Sequence, residues 1–361
     1  YLKIKRLLSD LEIDICLLKG KMRKKEKDAS LLLIESEKPT IIIGTHALIE
    51  DKISIPNLGV VIVDEQHRFG VIQRSKLKNK GLYPHCLYMT ATPIPRSFML
   101  TCFGDLEKSI IDELPPGRVP AENNWVKQAE LPHVYQSCFN KLNAGQQLYV
   151  VYPLVEESEK IDLKSAMEGY ETIQKVYPEF TVGIIHGRMR PDEKNNIMQQ
   201  FKEKKIMILV STTVIEVGID VPNATLMIIR HAERFGLSQL HQLRGRIGRG
   251  GNTSSCYFVS DSKTENAQKR LKSICSTNDG FKIAEYDLLI RGPGDVLGTR
   301  QSGLPDFKLA NLVHDETILQ LAKKTAQKIL TEDPSLSSSQ FQLIKKEFEK
   351  RQRLNPTDSL N

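Results

Sequence analysis

The sequence lacks the features that mark membrane, disulfide-stapled and zinc-binding proteins. No apolar run approaches the ~18 residues needed to span a bilayer, and the first residues, YLKIK, carry no signal-peptide pattern. The six cysteines are scattered without a C-x-x-C pair, so neither a zinc site nor a disulfide framework organises the fold. We therefore expect a cytoplasmic protein without membrane association.

Chain length and charge set broad limits on the fold and its partners. The chain has 361 residues, 40% of them hydrophobic, which predicts two or three domains because single cores stop growing near ~250 residues. A formal net charge of +7 permits a nucleic-acid partner without requiring one.

Short apolar runs, most of them separated by helix-length polar segments, recur along the chain. This alternation predicts an α/β fold with parallel sheets covered on both faces. The predicted strands are Thr40–Ile43, Val60–Val63, Cys86–Met89, Gln147–Tyr152, Val182–Ile185, Ile206–Val210, Leu226–Ile229 and Cys256–Val259.

An internal repeat with a period of about 166 residues relates the two halves of the chain. The stretch CLLKGKMRKKEK from Cys16 matches GIIHGRMRPDEK from Gly183, and TIIIGTHALIEDKISIPN from Thr40 matches MILVSTTVIEVGIDVPN from Met207. Since the matches occur in the same order and nearly the same register, the sequence predicts two copies of one α/β domain.

The segments around the second copy indicate the domain boundaries. Residues 113–120 hold three prolines and a glycine, which suits an interdomain linker. Beyond Ser260, apolar residues at helical spacing predict a helical hairpin. We expect one domain over residues 1–118, a second over 119–262, and a hairpin, loop and tail region over 263–361.

Two adjacent carboxylates, Asp64 and Glu65, follow a run of four apolar residues. Ligands of parallel α/β sheets collect at the carboxyl ends of strands. A carboxylate there can hold Mg²⁺ through water, and its neighbour can polarise a water that attacks a γ-phosphate. On these residues alone, a pair that caps a strand–helix junction is the favoured interpretation.

The segment from residue 230 to residue 249 is rich in arginine, with five arginines against one acid. It ends in QLRGRIGR, which contains Gln242, Arg246 and Arg249. Arginine forks bind phosphate oxygens two bonds at a time. These arginines therefore predict an arginine finger that reaches a nucleotide held by the first copy.

Polar residues also follow other predicted strands. Thr90-Ala91-Thr92 supplies hydroxyls that can sense a nucleotide, although a simple turn is the alternative. Hydroxyls that could bind a nucleic-acid backbone stand at Thr212 and Thr213, and Gly44-Thr45-His46 occupies the equivalent place in the first copy. Asp220 could bind a ribose hydroxyl. Such backbone contacts position a strand without reading its sequence.

In order along the chain, DEQH, TAT, STTVIEVGID and QLRGRIGR resemble the motifs of superfamily 2 helicases. The sequence is similar above all to the RecG branch, through GTHALIE, DEQHRFGV, VYPLVEESE, IIHGRM and DLLIRGPGDVLGTRQSGLPDF. The resemblance implies tandem RecA-like domains, the first truncated at its amino terminus, followed by a helical lever. It also implies a monomeric motor that uses ATP and Mg²⁺ to remodel branched double-stranded DNA.

The resemblance also implies roles for individual residues. Asp64 and Glu65 would serve Mg²⁺ and the attacking water. Gly218 and Asp220 would contact the nucleotide. Three residues would contact its phosphates: Gln242, Arg246 and Arg249. The residues that would couple nucleotide state to movement on DNA are His67, Thr90, Ala91, Thr92, Arg291, Arg300 and Gln301.

One departure from the family pattern limits these expectations. No G-x-x-x-x-G-K-[ST] loop occurs, and Gly20-Lys21 lacks the upstream glycine and the following hydroxyl. We expect Tyr1 to be an interior residue of a longer protein and the 361 residues not to hydrolyse ATP alone. A transcription-repair coupling translocase and a non-catalytic DNA-binding relic of a motor are the alternatives.

Overall fold

The chain forms two compact units in the computed structural model. Residues 1–91 and 335–361 form the first unit, and residues 92–334 form the second. The structure describes residues 1–20, 22–36, 38–50, 52–55, 57–65, 73, 76–77, 79–91, 106–153, 159–212, 221–291 and 315–354. Across these ranges, no helix combines the length and the apolar character that crossing a membrane requires.

The first unit contains two pairs of parallel strands. After helix α1 (Leu2–Leu7), strand β1 (Asp14–Leu18) leads through helix α2 (Lys24–Glu35) to strand β2 (Thr40–Gly44), its parallel partner. A short 3-10 helix, His46–Ile49, follows β2. The second pair consists of β3 (Val60–Val63) and β4 (His85–Tyr88), which are also parallel.

A small apolar core lies beneath helix α2. Leu18 of β1 is fully buried and packs with Ile34 of α2. The hydroxyl of Ser30 donates to the carbonyl of Leu17 at 3.0 Å, which fixes the helix on the strand. The helix and the first strand pair are thus held by both apolar and polar contacts.

Strand β3 departs from the prediction that both faces of each sheet are covered. Val61 and Val63 are buried, whereas Val60 and Ile62 are 60% and 63% exposed. Because successive side chains of a strand point to opposite faces, only one face of β3 packs inside the first unit.

The second unit is built on a six-stranded sheet in which every pairing is parallel. Its order is β5-β10-β9-β6-β8-β7. The strands are β5 (Glu122–Val126), β6 (Gln147–Val151), β7 (Val182–Ile185), β8 (Ile208–Ser211), β9 (Ala224–Ile229) and β10 (Ser255–Val259).

Helices cover both faces of this sheet, as the sequence predicts. One face packs against α3 (Leu131–Asn143) and α4 (Glu159–Val176). The other packs against α5 (Pro191–Lys202), α6 (Leu237–Arg244), α7 (Glu265–Ser276) and α8 (Gly280–Arg291). The remaining helices are α9 (Glu316–Glu332), α10 (Gln342–Leu354) and the 3-10 helices Gln128–Glu130, Ala232–Arg234 and Ser339–Phe341.

Helix α3 illustrates how the sequence produces these helices. Its buried residues Leu131, Val134, Cys138 and Leu142 recur at three- and four-residue spacing, which places them on one face. The helix is followed by Gly145, whose φ of +81° glycine adopts without strain. The chain then turns directly into β6.

The internal repeat is visible in the strand register. Cys16 pairs with Ile42 in the first unit and Gly183 pairs with Leu209 in the second, an offset of 167 residues for both partners. The β1-α2-β2 segment therefore has the same topology and register as β7-α5-β8.

The third strand of each copy is β3 in the first and β9 in the second, and the backbone leaves both strands through the same kind of turn. Glu65 and His231, each the second residue after its strand, have φ values of +52° and +50°. This left-handed conformation costs a residue with a side chain roughly 1–2 kcal/mol. Because the same turn occurs in both copies, it is a feature of the repeated fold and is not specific to the Asp-Glu pair.

The predicted helical hairpin is present and shares the core of the second unit. Leu271 and Ile274 of α7 are fully buried, and they lie in one apolar cluster with Met227 of β9 and Phe258 of β10. The hairpin is therefore part of the packing that covers the sheet.

We expect Leu271→Ala to lower the free energy of unfolding of the second unit by about 2–5 kcal/mol, because it leaves a cavity between the hairpin and the sheet. Urea unfolding can be followed through the fluorescence of Trp125, the single tryptophan, whose Nε1 donates to the Ser260 carbonyl at 3.1 Å. The control is Leu289→Ala on α8, where the side chain is half exposed. Equal losses in the two variants would contradict the shared core.

Candidate functional site

The carboxylate pair lies at the carboxyl end of β3. Val61 and Val63 anchor the strand in the first unit, and Asp64 emerges exposed from its end. The Asp64 Oδ1 accepts a hydrogen bond from the backbone N–H of Glu65 at 2.9 Å, while Glu65 is half-buried. One oxygen of Asp64 thus caps the turn, and a carboxylate has a second oxygen that can hold a water or a cation.

Strand β4 brings Thr90 and Ala91 to the same edge of the sheet. The Met89 N–H donates to the Val63 carbonyl at 2.8 Å, so the pairing of β3 and β4 continues to the residues just before the carboxylates. Thr90 is half-buried and Ala91 exposed. Thr92 and His67 lie outside the described residues.

The Gly44-Thr45-His46 stretch ends strand β2. A Cβ on Gly44 would lie 2.5 Å from the Leu18 carbonyl oxygen and 2.7 Å from a Leu48 side-chain carbon, so only glycine fits there. Thr45 and His46 are exposed. Close packing thus explains Gly44, and its contact with DNA stays a prediction, as do those of its two neighbours.

Thr212 occupies the equivalent position in the second unit. Its N–H donates to the Ile185 carbonyl at 3.2 Å, and the Thr45 N–H donates to the Leu18 carbonyl at 3.4 Å, both partners again offset by 167 residues. Unlike Thr45, Thr212 is buried, with 1% exposure. Thr213, Gly218 and Asp220 lie outside the described residues.

Buried polar atoms collect at the carboxyl edge of β7 and β8. The hydroxyls of Ser211 and Thr212 and the Nδ1 of His186 find no hydrogen-bond partner within the described ranges. Burial, with Lys194 and Arg188 nearby, lowers the pKa of His186 and keeps the ring neutral. The sequence reasoning missed His186, although its position directly after an apolar strand was a usable signal.

The arginine loop, defined here as residues 245–251, follows helix α6. Leu237, Leu240 and Leu243 bury one face of the helix, and Gln242 is half-buried beside them. Gly248 has φ of +71°, and a Cβ there would lie 2.5 Å from the Ser254 hydroxyl, so the loop requires glycine at this point.

Two of the predicted phosphate-binding residues lie in this loop. Arg246 is half-buried and Arg249 is exposed. The Nε of Arg249 donates to the Gly245 carbonyl at 3.1 Å, which orients the guanidinium plane. Both side chains are thus carried by a tight loop immediately after a buried helix.

The arginine-rich segment is less uniform than its composition suggests. Arg230 donates to the Tyr135 hydroxyl at 3.2 Å and to the Gln128 Oε1 at 2.9 Å. Arg244 is buried and donates to the carbonyls of Ile274 and Thr277 at 3.2 and 2.7 Å. These two arginines hold the fold together, so the interpretation of all five as phosphate ligands is too broad.

Arg244 also donates a hydrogen bond to a neighbouring histidine. Its Nη2 donates to the Nδ1 of His241 at 2.7 Å. Burial and the adjacent guanidinium lower the pKa of His241 to about 4. His241 is therefore a neutral hydrogen-bond acceptor at physiological pH, and the pair joins helix α6 to the end of α7.

The predicted coupling residues of the carboxy-terminal region are only partly visible. Arg291 is the last residue of α8, and its side chain lies outside what the structure describes, as do Arg300 and Gln301.

Three known protein families match successive segments of the chain. The DEAD/DEAH box helicase family matches residues 1–100, and the helicase conserved C-terminal domain matches residues 129–251. The parallel α/β fold and these two matches indicate a helicase fold of the RecA-like type. A third family, ATP-dependent DNA helicase RecG, domain 3, C-terminal, matches residues 277–357.

Individual relatives narrow the assignment. The chain is 48% identical over 339 residues to the ATP-dependent DNA helicase RecG of Synechocystis sp., covering 94% of this chain and 41% of that protein. It is 43% identical over 343 residues to the RecG of Bacillus subtilis, covering 95% of this chain and 50% of that protein. Over 94–95% of its length, the chain is thus similar to proteins of the RecG family.

A solved structure gives the same result. The structure of RecG bound to a three-way DNA junction matches with a TM-score of 0.66 and 43% identity, covering 89% of this chain and 41% of that one. The chain spans about half the length of the curated relatives it matches. These matches do not favour the transcription-repair coupling or motor-relic alternatives.

The His241–Arg244 pair predicts a pH dependence of stability. An unfolded histidine has a pKa near 6.5 and the folded His241 about 4, so between these values only the unfolded chain binds the proton and stability falls as the pH drops. Between pH 7 and pH 5 we expect this residue to remove about 2 kcal/mol of unfolding free energy.

His241→Asn tests this expectation, because the asparagine Oδ1 can accept the Arg244 hydrogen bond where Nδ1 does. Urea unfolding at pH 7 and pH 5, followed through Trp125 fluorescence, should show a smaller loss in this variant than in the wild type. His133→Asn, at an exposed position of α3, should keep the wild-type loss. A wild-type-sized loss in His241→Asn would show that His241 titrates normally.

Proposed function

We propose that the complete gene product is an ATP-dependent DNA helicase of the RecG type that remodels branched DNA, such as stalled forks and recombination junctions, in repair and recombination. The observation that carries this proposal is the 43% identity, over 89% of the chain, to a RecG structure bound to a three-way DNA junction. We also propose that it acts as a monomer in the cytoplasm.

The proposed domains are residues 1–118, 119–262 and 263–361. Each of the three matching family segments falls inside one of them, at residues 1–100, 129–251 and 277–357. This agreement supports a motor of two helicase domains followed by a RecG-specific region.

In the first domain, Asp64 and Glu65 manage the metal and the water of ATP hydrolysis. The exposed carboxylate of Asp64 at a strand end fits a Mg²⁺ held through water, and the half-buried Glu65 beside it fits the orientation of an attacking water. Mg²⁺, when bound, neutralises charge on the nucleotide phosphates.

In the second domain, Gln242, Arg246 and Arg249 contact the phosphates. The exposed Arg249 at the tip of a glycine-rich loop suits an arginine finger, which needs a guanidinium that reaches beyond its own domain. Gly218 and Asp220 complete the nucleotide contacts through the ribose side.

The strand ends that match between the two copies bind the DNA backbone. In the first copy these residues are Gly44, Thr45 and His46, and in the second they are Thr212 and Thr213. Ser211, Thr212 and His186 support this role, because their buried polar atoms at one sheet edge lack a partner among the described residues. Contacts of this kind give affinity and not sequence specificity.

Nucleotide state is coupled to movement on DNA by two groups of residues. His67 and Thr90-Ala91-Thr92 follow the strands that end near the carboxylates. Arg291 ends the hairpin, and Arg300 and Gln301 follow it. The packing of the hairpin on the sheet supports transmission of movement from the second domain.

Arg249→Ala should lower the kcat of DNA-stimulated ATP hydrolysis by ~10³-fold or more in the complete gene product, the scale of an arginine-finger loss. Arg234→Ala removes an exposed arginine from the same segment and should leave kcat unchanged. Trp125 fluorescence checks folding in both variants. A near-normal kcat in Arg249→Ala would remove this residue from the site.

Gln301→Ala should reduce fork unwinding more than ATP hydrolysis, because the residue is proposed to couple the two. Both rates are measured on the same branched DNA with the complete gene product. Gln327→Ala, on the exposed side of α9, serves as the control and should change neither rate. Parallel losses in unwinding and hydrolysis would reject a coupling role for Gln301.

A further inference from the structure

One side chain of the linker between the two proposed helicase domains, that of Arg118, is packed against the second domain. From residue 107 to residue 120 every residue is exposed except Arg118, which is half-buried. An exposed arginine has no need to leave water, so the burial of this one indicates a specific contact.

A rigid turn sets the direction in which Arg118 points. The N–H of Arg118 donates to the Pro115 carbonyl at 3.1 Å, and Gly117 has φ of +79°. Proline at the second position and glycine with positive φ at the third are the residues that a type II turn requires. This linker turn, residues 115–118, is therefore fixed by its own sequence.

The contact of Arg118 lies on the arginine loop. Its Nη2 donates to the Gly245 carbonyl at 3.2 Å, the same oxygen that accepts from the Nε of Arg249 at 3.1 Å. A carbonyl oxygen has two lone pairs and can accept both bonds at once. The same backbone carbonyl thus accepts hydrogen bonds from a linker arginine and from Arg249, the proposed arginine finger.

The linker passes close to the two glycines of the arginine loop. A Cβ on Gly251 would lie 3.4 Å from the Gly117 carbonyl oxygen, and one on Gly248 would lie 3.7 Å from that of Val119. The space between the linker and the loop would therefore just accommodate a methyl group at either glycine. A shift of the linker would therefore change the position of Arg118 relative to the Gly245 carbonyl.

We propose that Arg118 is a positioning residue for ATP hydrolysis, acting through the Gly245 carbonyl to orient Arg249. This inference rests on the proposed function, in which Arg249 contacts the nucleotide phosphates. It makes the linker a part of the catalytic apparatus, since the linker turn determines the direction from which the guanidinium of Arg249 extends.

The test compares two pairs of matched variants in the complete gene product. Arg118→Ala removes the donor, and Lys108→Ala removes an exposed cation from the stretch just before the linker. Gly117→Ala strains the turn, and Gly145→Ala applies the same strain elsewhere, since the glycines have φ of +79° and +81° and open space for a Cβ. The measurement is kcat and KM for ATP in DNA-stimulated hydrolysis.

Arg118→Ala and Gly117→Ala should each lower kcat by ~10-fold or more and change KM by less than about twofold, because a misplaced catalytic group slows chemistry more than binding. Both control variants should stay within about twofold of the wild type in kcat. Arg118→Lys, which keeps a donor for the Gly245 carbonyl, should recover most of the lost kcat.

A double variant separates this role from general loss of structure. In an Arg249→Ala background, Arg118→Ala should lower kcat by less than about twofold further, because residues that act through one another are not additive. A full additional loss would overturn the proposal. A wild-type kcat in Arg118→Ala would overturn it as well.

Two further measurements cover the remaining outcomes. If Arg118→Ala does not fold by Trp125 fluorescence, equal kcat in Gly117→Ala and Gly145→Ala overturns the proposal. If the wild type shows no DNA-stimulated hydrolysis, the proposed function fails. Amide exchange of residues 245–251 in the 361-residue chain then tests the contact, and unchanged exchange in Gly117→Ala relative to Gly145→Ala would overturn it.

Discussion

Parallel pairing of strands is the constraint on which the chemistry of both units depends. It places all carboxyl ends of a sheet at one edge, where the ligands of such sheets collect. Asp64 in the first unit and Thr212 in the second both stand at such an edge. The apolar strands before them, with residues such as Val63 and Val210 buried, hold these positions in place.

The two copies share a backbone and differ in charge. In the first copy the third strand is followed by Asp64 and Glu65, and in the second by Arg230 and His231, with the same left-handed turn. Since the turn is common, the difference lies in the side chains alone. One copy carries two acids at this point, and the other uses its arginine to hold helix α3 through the Tyr135 hydroxyl.

Apolar runs in the sequence predict the positions of most strands. All eight predicted runs coincide with strands, and the repeat appears in the register of β1 with β2 and of β7 with β8. Strand β5, with the sequence ENNWV, was not predicted. It lies at the edge of the sheet and pairs only with β10, so its polar residues need no burial and leave no periodic signal.

The candidate site was predicted less completely, for a different physical reason. Arg244 and Arg246 stand two residues apart in one motif, and spacing does not distinguish them. Helix α6 ends at Arg244, which turns inward to the carbonyls that end α7, whereas Arg246 falls in the loop. No local pattern in the sequence predicts the role of Arg118, because its contact with Gly245 joins residues 127 positions apart.

The packing of the hairpin against the sheet has a mechanical consequence. Leu271 and Ile274 share one close-packed cluster with the strands, and packed protein interiors have low compressibility. A load applied to the far end of the hairpin is therefore borne by the sheet as a whole, without a compliant joint between them. Relative movement of the hairpin and the sheet therefore requires this cluster to repack, so the two resist bending as one body.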